Sequence, residues 1–134
     1  MLFRSELIVT TTPSTEPLLT SDMLTAGKRI VAVGADAPGK RELDPVILAR
    51  GRVVVDSCAQ CIDHGETGWA VRAGLLEPAS LIELGALLTA PIDFAAEEIV
   101  VADLTGVAVQ DVAIAKSVWS RLSPAPSGPE QVLP

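Results

Sequence analysis

Four short runs of β-branched and other apolar residues, Leu7 to Thr11, Arg29 to Val33, Arg52 to Val55 and Glu98 to Ala102, constrain this chain more than anything else in it. Each is nearly continuously apolar instead of alternating, and a strand without alternation must be buried on both faces. Glu42 to Arg50, between the second and third runs, carries both helix-end signals. Asp44 can cap it, Pro45 suits the first helical position and Gly51 suits the residue just past the end. Thr20 to Ala26, with a hydroxyl residue at its cap and Gly27 after it, predicts a short helix between the first and second runs. Strand, helix and strand therefore alternate, which implies right-handed parallel crossovers and an α/β fold.

The remaining segments fit the same frame. Ser57 to Thr89 is helical in pattern but broken by Gly65, Gly68, Gly74 and Pro78, so it predicts two or three short helices, with Leu81, Leu84, Leu87 and Leu88 as an apolar stripe. Val107 to Leu122 is the longest helix candidate, and Ser123 to Pro134, with four prolines, reads as a disordered tail. Only 3% of residues are aromatic, so the core must be built from Val, Leu, Ile and Ala. The net charge of -7 excludes affinity for nucleic acid through phosphate neutralisation and disfavours an anionic membrane. No stretch approaches the roughly 18 apolar residues of a spanning helix, and no basic-then-apolar leader opens the chain. The expectation is a soluble cytoplasmic protein with two reduced thiols, Cys58 and Cys61.

Every apolar run ends in small or polar residues: Thr10-Thr11-Thr12, Gly34-Ala35-Asp36, Asp56-Ser57 and Asp103-Leu104-Thr105-Gly106. In open parallel sheets ligands sit outside the carboxyl ends of the strands, so these segments form the candidate rim of a site. The chain carries no G-x-G-x-x-G loop. Either it does not bind a dinucleotide, or the front of such a domain is missing. Cys58, Cys61 and His64 share a helical face and offer three metal ligands, but a closed zinc site needs a fourth and no second C-x-x-C exists. Packed thiols beside a polar histidine are the simpler reading, with Trp69 and Trp119 as packing residues.

The segment Gly34-Ala35-Asp36-Ala37-Pro38-Gly39-Lys40-Arg41-Glu42-Leu43 decides between these alternatives. It resembles the G-x-D-x-P-G-K-x-E-L signature of the ornithine cyclodeaminase and mu-crystallin family, which includes alanine dehydrogenases and ketimine or pyrroline-carboxylate reductases. Val9 to Pro13, Val55-Asp56-Ser57, Gly65-Glu66, Leu84-Gly85 and Asp103 to Asp111 support it in the right order, so the resemblance covers roughly residues 7 to 122. It implies the back portion of a Rossmann-like domain over residues 6–106, then a helix over 107–122 that returns toward a dimerisation region. In the family that region, the substrate-gripping Arg and Lys and the glycine-rich loop would all precede residue 6. The implied parent is a homodimer, and the 134-residue chain alone would be inactive.

The resemblance also implies roles. Asp36 matches the family's proton-transfer aspartate, and Lys40 matches a position that contacts the dinucleotide, NAD or NADP. Thr10, Thr11, Val33 and Gly34 would line the cofactor at the ends of the first two strands. Many members have a serine where this chain has Leu104, which leaves Thr105 as the nearest hydroxyl, and Gly106 would let the backbone approach a ligand. The implied reaction is hydride transfer at the amine-bearing carbon of an amino acid or cyclic imine, with ornithine cyclodeaminase first. An imine reductase, an alanine dehydrogenase or a non-catalytic crystallin-type binding protein are the alternatives.

Overall fold

Val53 and Val55 on one strand and Ile30 and Ala32 on another are each at most 2% exposed, which requires sheet neighbours on both sides and helices above. The computed structural model describes residues 4–122 and shows how this is met. Five strands, β1 (Leu7–Thr10), β2 (Arg29–Ala32), β3 (Arg52–Val55), β4 (Ile82–Glu83) and β5 (Val100–Asp103), form one sheet in the order β1-β2-β5-β3-β4. All four pairings are parallel. The four runs read from the sequence are β1, β2, β3 and β5. The strand β4 falls inside Ser57 to Thr89, where the sequence predicts helix, so Leu81 stands outside the helix that carries Leu84, Leu87 and Leu88; two residues are too few to show a strand pattern.

Four α-helices lie between the strands, α1 (Pro45–Arg50), α2 (Cys58–His64), α3 (Glu66–Arg72) and α4 (Leu84–Thr89), and a fifth, α5 (Ala108–Leu122), follows β5. Asp44 caps α1 by accepting the Val46 amide, Pro45 stands at its start and Gly51 follows it, as the sequence signals require. The helix expected over Thr20 to Ala26 is only a 3-10 turn, Ser21–Met23. The Ser21 carbonyl accepts from the Arg50 guanidinium at 2.8 Å and the Ser21 amide donates to the Asp44 carboxylate at 3.3 Å, so contacts with α1 engage the backbone that a longer helix would need. The tail expected from 123 to 134 lies outside the described residues.

The sheet is covered asymmetrically. Ile8, Ile30, Ala32, Val53, Val55 and Val101 point to one face and pack with Leu43, Ile47 and Leu48 around α1, Cys61 of α2 and Ala70 of α3. Burying a side chain of this size contributes about 1.5–3 kcal/mol. On the opposite face Leu7 and Val9 of β1 and the adjoining Val33 stay exposed. None of the residues of α5 is buried, and no described helix is long and apolar enough to cross a membrane.

Candidate active site at the strand ends

The parallel register brings Thr10, Ala32, Asp103, Val55 and Glu83 into one row, so the segments that follow them share one edge of the sheet. The ladder continues past the strands, with the Val33 amide on the Thr10 carbonyl and the Leu104 amide on the Ala32 carbonyl, both at 2.9 Å. Thr10, Thr11, Val33, Gly34, Asp36, Thr105 and Gly106 therefore stand on one continuous rim.

Asp36 leaves the end of β2 just before a tight turn in which the Lys40 amide donates to the Ala37 carbonyl at 3.2 Å. Gly39 has φ +85°, a conformation that favours glycine. The turn swings Lys40 back, and its Nζ meets Asp36 Oδ1 at 2.5 Å. The Asp36 carboxyl is half exposed, and the hydrogen bond from Lys40 holds it below its ordinary value. The acid that the resemblance assigns to proton transfer and the cation that it assigns to the cofactor are thus one ion pair on the surface of the rim.

At the end of β1 the hydroxyl of Thr10 is buried and has no hydrogen-bond partner among the described residues, whereas Thr11 is exposed. Thr105 and Gly106 are placed differently. Asp56, following β3, accepts the Gly106 amide at 2.7 Å and the Thr105 hydroxyl at 3.2 Å. Gln60 Nε2 donates to Thr105 Oγ1 at 2.9 Å and to the Gly106 carbonyl at 2.6 Å. Burial would raise the Asp56 carboxyl, but the Cys61 thiol, the Gly106 amide and the Thr105 hydroxyl outweigh it and hold the group low. The chain from Thr105 into α5 is fastened here by its own neighbours.

Beneath the rim lie buried carboxylates to which neither the sequence pattern nor the family resemblance assigns a role. Glu42 is fully buried and accepts the amides of Thr12 at 2.5 Å and Gly34 at 3.0 Å. Glu66, the first residue of α3, accepts the amides of Glu42 at 2.5 Å and Leu43 at 3.2 Å. Asp103 accepts the Thr67 amide at 2.8 Å. Burial pushes the Glu66 carboxyl up to about 7, the two amides opposing and the Asp103 and Glu42 charges adding to it. Burial likewise raises Asp103. A carboxylate at the end of an apolar run, such as Asp56 or Asp103, is the available signal, because a carboxylate in that place must find donors.

Cys58 and Cys61 are free thiols. Burial pushes Cys61 up to about 12, with the Asp103 charge and the bond to Asp56 in the same direction, and burial with Glu83 raises Cys58. Among the described residues no three His, Cys, Asp or Glu side chains are arranged to hold a metal ion. His64 instead faces Asp63 at 3.1 Å.

Residues 3–125 match the model of the ornithine cyclodeaminase/mu-crystallin family. The alanine dehydrogenase of Archaeoglobus fulgidus is 40% identical over 121 residues, 88% of this chain and 38% of that protein. The iminosuccinate reductase of Paracoccus denitrificans, solved in complex with NAD+, is 37% identical, with a TM-score of 0.81 over 85% of this chain and 36% of that one. An archaeal alanine dehydrogenase dimer with bound NAD gives a TM-score of 0.81 at 39% identity, over 86% of this chain and 37% of that one. The chain spans well under half the length of these relatives.

Proposed function

The chain belongs to the ornithine cyclodeaminase/mu-crystallin family, and on that premise we propose that it serves an NAD(P)-dependent enzyme that oxidises an amino acid at Cα or reduces the corresponding imine. The Asp36–Lys40 pair at the end of β2 carries this reading. A carboxylate held ionised at neutral pH accepts a proton from the substrate's amine, or from water adding to the imine carbon, and a cation beside it can return one. The same negative charge favours the positive charge that develops at the imine nitrogen. The dinucleotide, when bound, accepts or supplies the hydride.

The rim suits such a cofactor on two counts. Thr10 keeps a buried hydroxyl without a partner among the described residues, and a ligand donor or acceptor at the end of β1 would satisfy it. Lys40 brings a cation to the same rim, suited to a phosphate or ribose, while the space beside Gly34 is filled by the Thr12 carbonyl and the Glu42 carboxylate. Thr11 and Val33 border the same place. Thr105 and Gly106 support it differently in our reading, by holding the start of α5 in position through Asp56 and Gln60.

Relatives named as alanine dehydrogenase, iminosuccinate reductase and cyclodeaminase match this chain at similar identity, so ornithine cyclodeamination stands beside amino-acid oxidation and imine reduction as the reaction to test. The deciding experiment uses the protein as expressed from its own gene, with NAD and NADP each offered alongside L-alanine, L-ornithine and aspartate. Absorbance follows dinucleotide reduction and chromatography looks for proline. Amino-acid-dependent reduction is expected. Dinucleotide binding without turnover on any amino acid or imine would sink the enzyme reading and leave a binding protein of the same family.

A further inference from the structure

Glu42 is fully buried and forms no ion pair among the described residues, an expensive placement for a carboxylate unless strong donors replace water. Its two oxygens take the amides of Thr12 and Gly34, the first residues past β1 and β2 that leave the sheet ladder. Two N–H donors aimed at one head group require two acceptors. A glutamine would turn its own N–H toward one of them. Gly34 is matched to this arrangement, since a Cβ there would lie 2.3 Å from the Thr12 carbonyl oxygen and 2.5 Å from Glu42 Cδ. The backbone of Glu42 is equally committed, its amide to Glu66 and its carbonyl to the amides of Leu18 at 2.7 Å and Leu19 at 3.1 Å.

Gly34 and Glu42 are the two ends of the loop that carries Asp36 and Lys40. The loop is held at a further point by Trp69 of α3, whose Nε1 donates to the Lys40 carbonyl at 3.0 Å. The Asp36–Lys40 pair is itself partly exposed, and exposed ion pairs hold structure weakly, whereas buried charge-assisted hydrogen bonds hold it strongly. The placement of the pair must therefore come from beneath.

We infer that Glu42 is a positioning residue of this site: by clamping Thr12 and Gly34 it sets where Asp36 and Lys40 stand relative to the ends of β1 and β2, and Glu66 anchors it to α3. The inference rests on the reading of Asp36 as the proton-transfer group, but its first test does not require turnover.

In Glu42→Gln, amide exchange of Gly34 and of the Asp36 to Lys40 segment should rise at least about tenfold while that of Val53 to Val55 stays as in the wild type. The carboxyl resonance of Asp36 should titrate at a higher pH, because its approach to Lys40 loosens. With a substrate in hand, kcat should fall about tenfold or more while KM for the dinucleotide moves only a few-fold. Should Glu42→Gln fail to fold, Glu66→Gln removes only the outer anchor and should shift the loop exchange and the Asp36 titration in the same directions by less. A folded Glu42→Gln protein with wild-type exchange in the loop and an unmoved Asp36 titration overturns the inference, as does faster exchange spread equally over β3. Wild-type protein without turnover would refute the acid–base reading alone, and the loop measurements would still decide about Glu42.

Discussion

Lys40 Nζ lies 2.5 Å from Asp36 Oδ1 across the Pro38-Gly39 turn, so neither residue can be altered without changing the other. Lys40→Gln removes the main cause of the low Asp36 carboxyl. Its titration, followed by carbon NMR, should move up toward the ordinary carboxylate value near 3.8. An unmoved titration would show that Lys40 does not pair with Asp36 in solution.

Asp36→Asn keeps the shape of the side chain but cannot take a proton. The chemical step should fall by about 10²-fold or more, with dinucleotide affinity changed only a few-fold. Near-normal kcat in this variant would remove Asp36 from the mechanism.

Glu66 gives stability a pH dependence whose sign is fixed by its environment. Unfolded, it titrates near 4.5, and folded, near 7. Between those values the folded state holds a proton that the unfolded state has released, so stability declines as pH rises through this window. Above it the penalty is complete, on the order of 3 kcal/mol. Asp103, also raised by burial, adds a decline of the same sign as pH rises above its unfolded value near 3.8. Urea denaturation should give a higher unfolding free energy at pH 5.5 than at 7.5, and Glu66→Gln should flatten the difference. A wild-type protein more stable at 7.5 would contradict the burial of an unpaired carboxyl there.

Two glycines should respond oppositely to the same change. A methyl group at Gly34 meets Thr12 and Glu42 far inside contact distance, while at Gly85 in α4 it meets nothing within 4 Å. Gly34→Ala should lower stability by about 1–3 kcal/mol or more. Gly85→Ala, in the first turn of α4, should raise it by up to about 0.5 kcal/mol through helix propensity. Thermal denaturation of both variants checks the pair, and a silent Gly34→Ala would mean that the loop gives way freely.

The thiols should be chemically quiet. With Cys61 raised to about 12 and Cys58 also raised, disulfide reagents should label native Cys61 only on unfolding and Cys58 slowly at neutral pH. Cys58→Ser should leave dinucleotide affinity unchanged. One zinc per chain in elemental analysis would reverse this view.

What the sequence by itself determined are the features that act locally or by composition. Unbroken apolar runs specify the strands of a parallel sheet, Asp44, Pro45 and Gly51 specify the ends of α1, and the residues from Gly34 to Leu43 mark the family. What only the tertiary structure decided is which polar groups meet. Glu42 is 30 residues from Thr12, Glu66 is 24 from Glu42, and Asp56 is 50 from Gly106. No local pattern predicts such partners, because a buried carboxylate is satisfied by whichever amides the sheet register and helix packing bring to it. The same reason explains Thr105 and Gly106: their sequence offers a hydroxyl and a free amide, but the register of β3 beside β5 delivers Asp56 and Gln60 to take them.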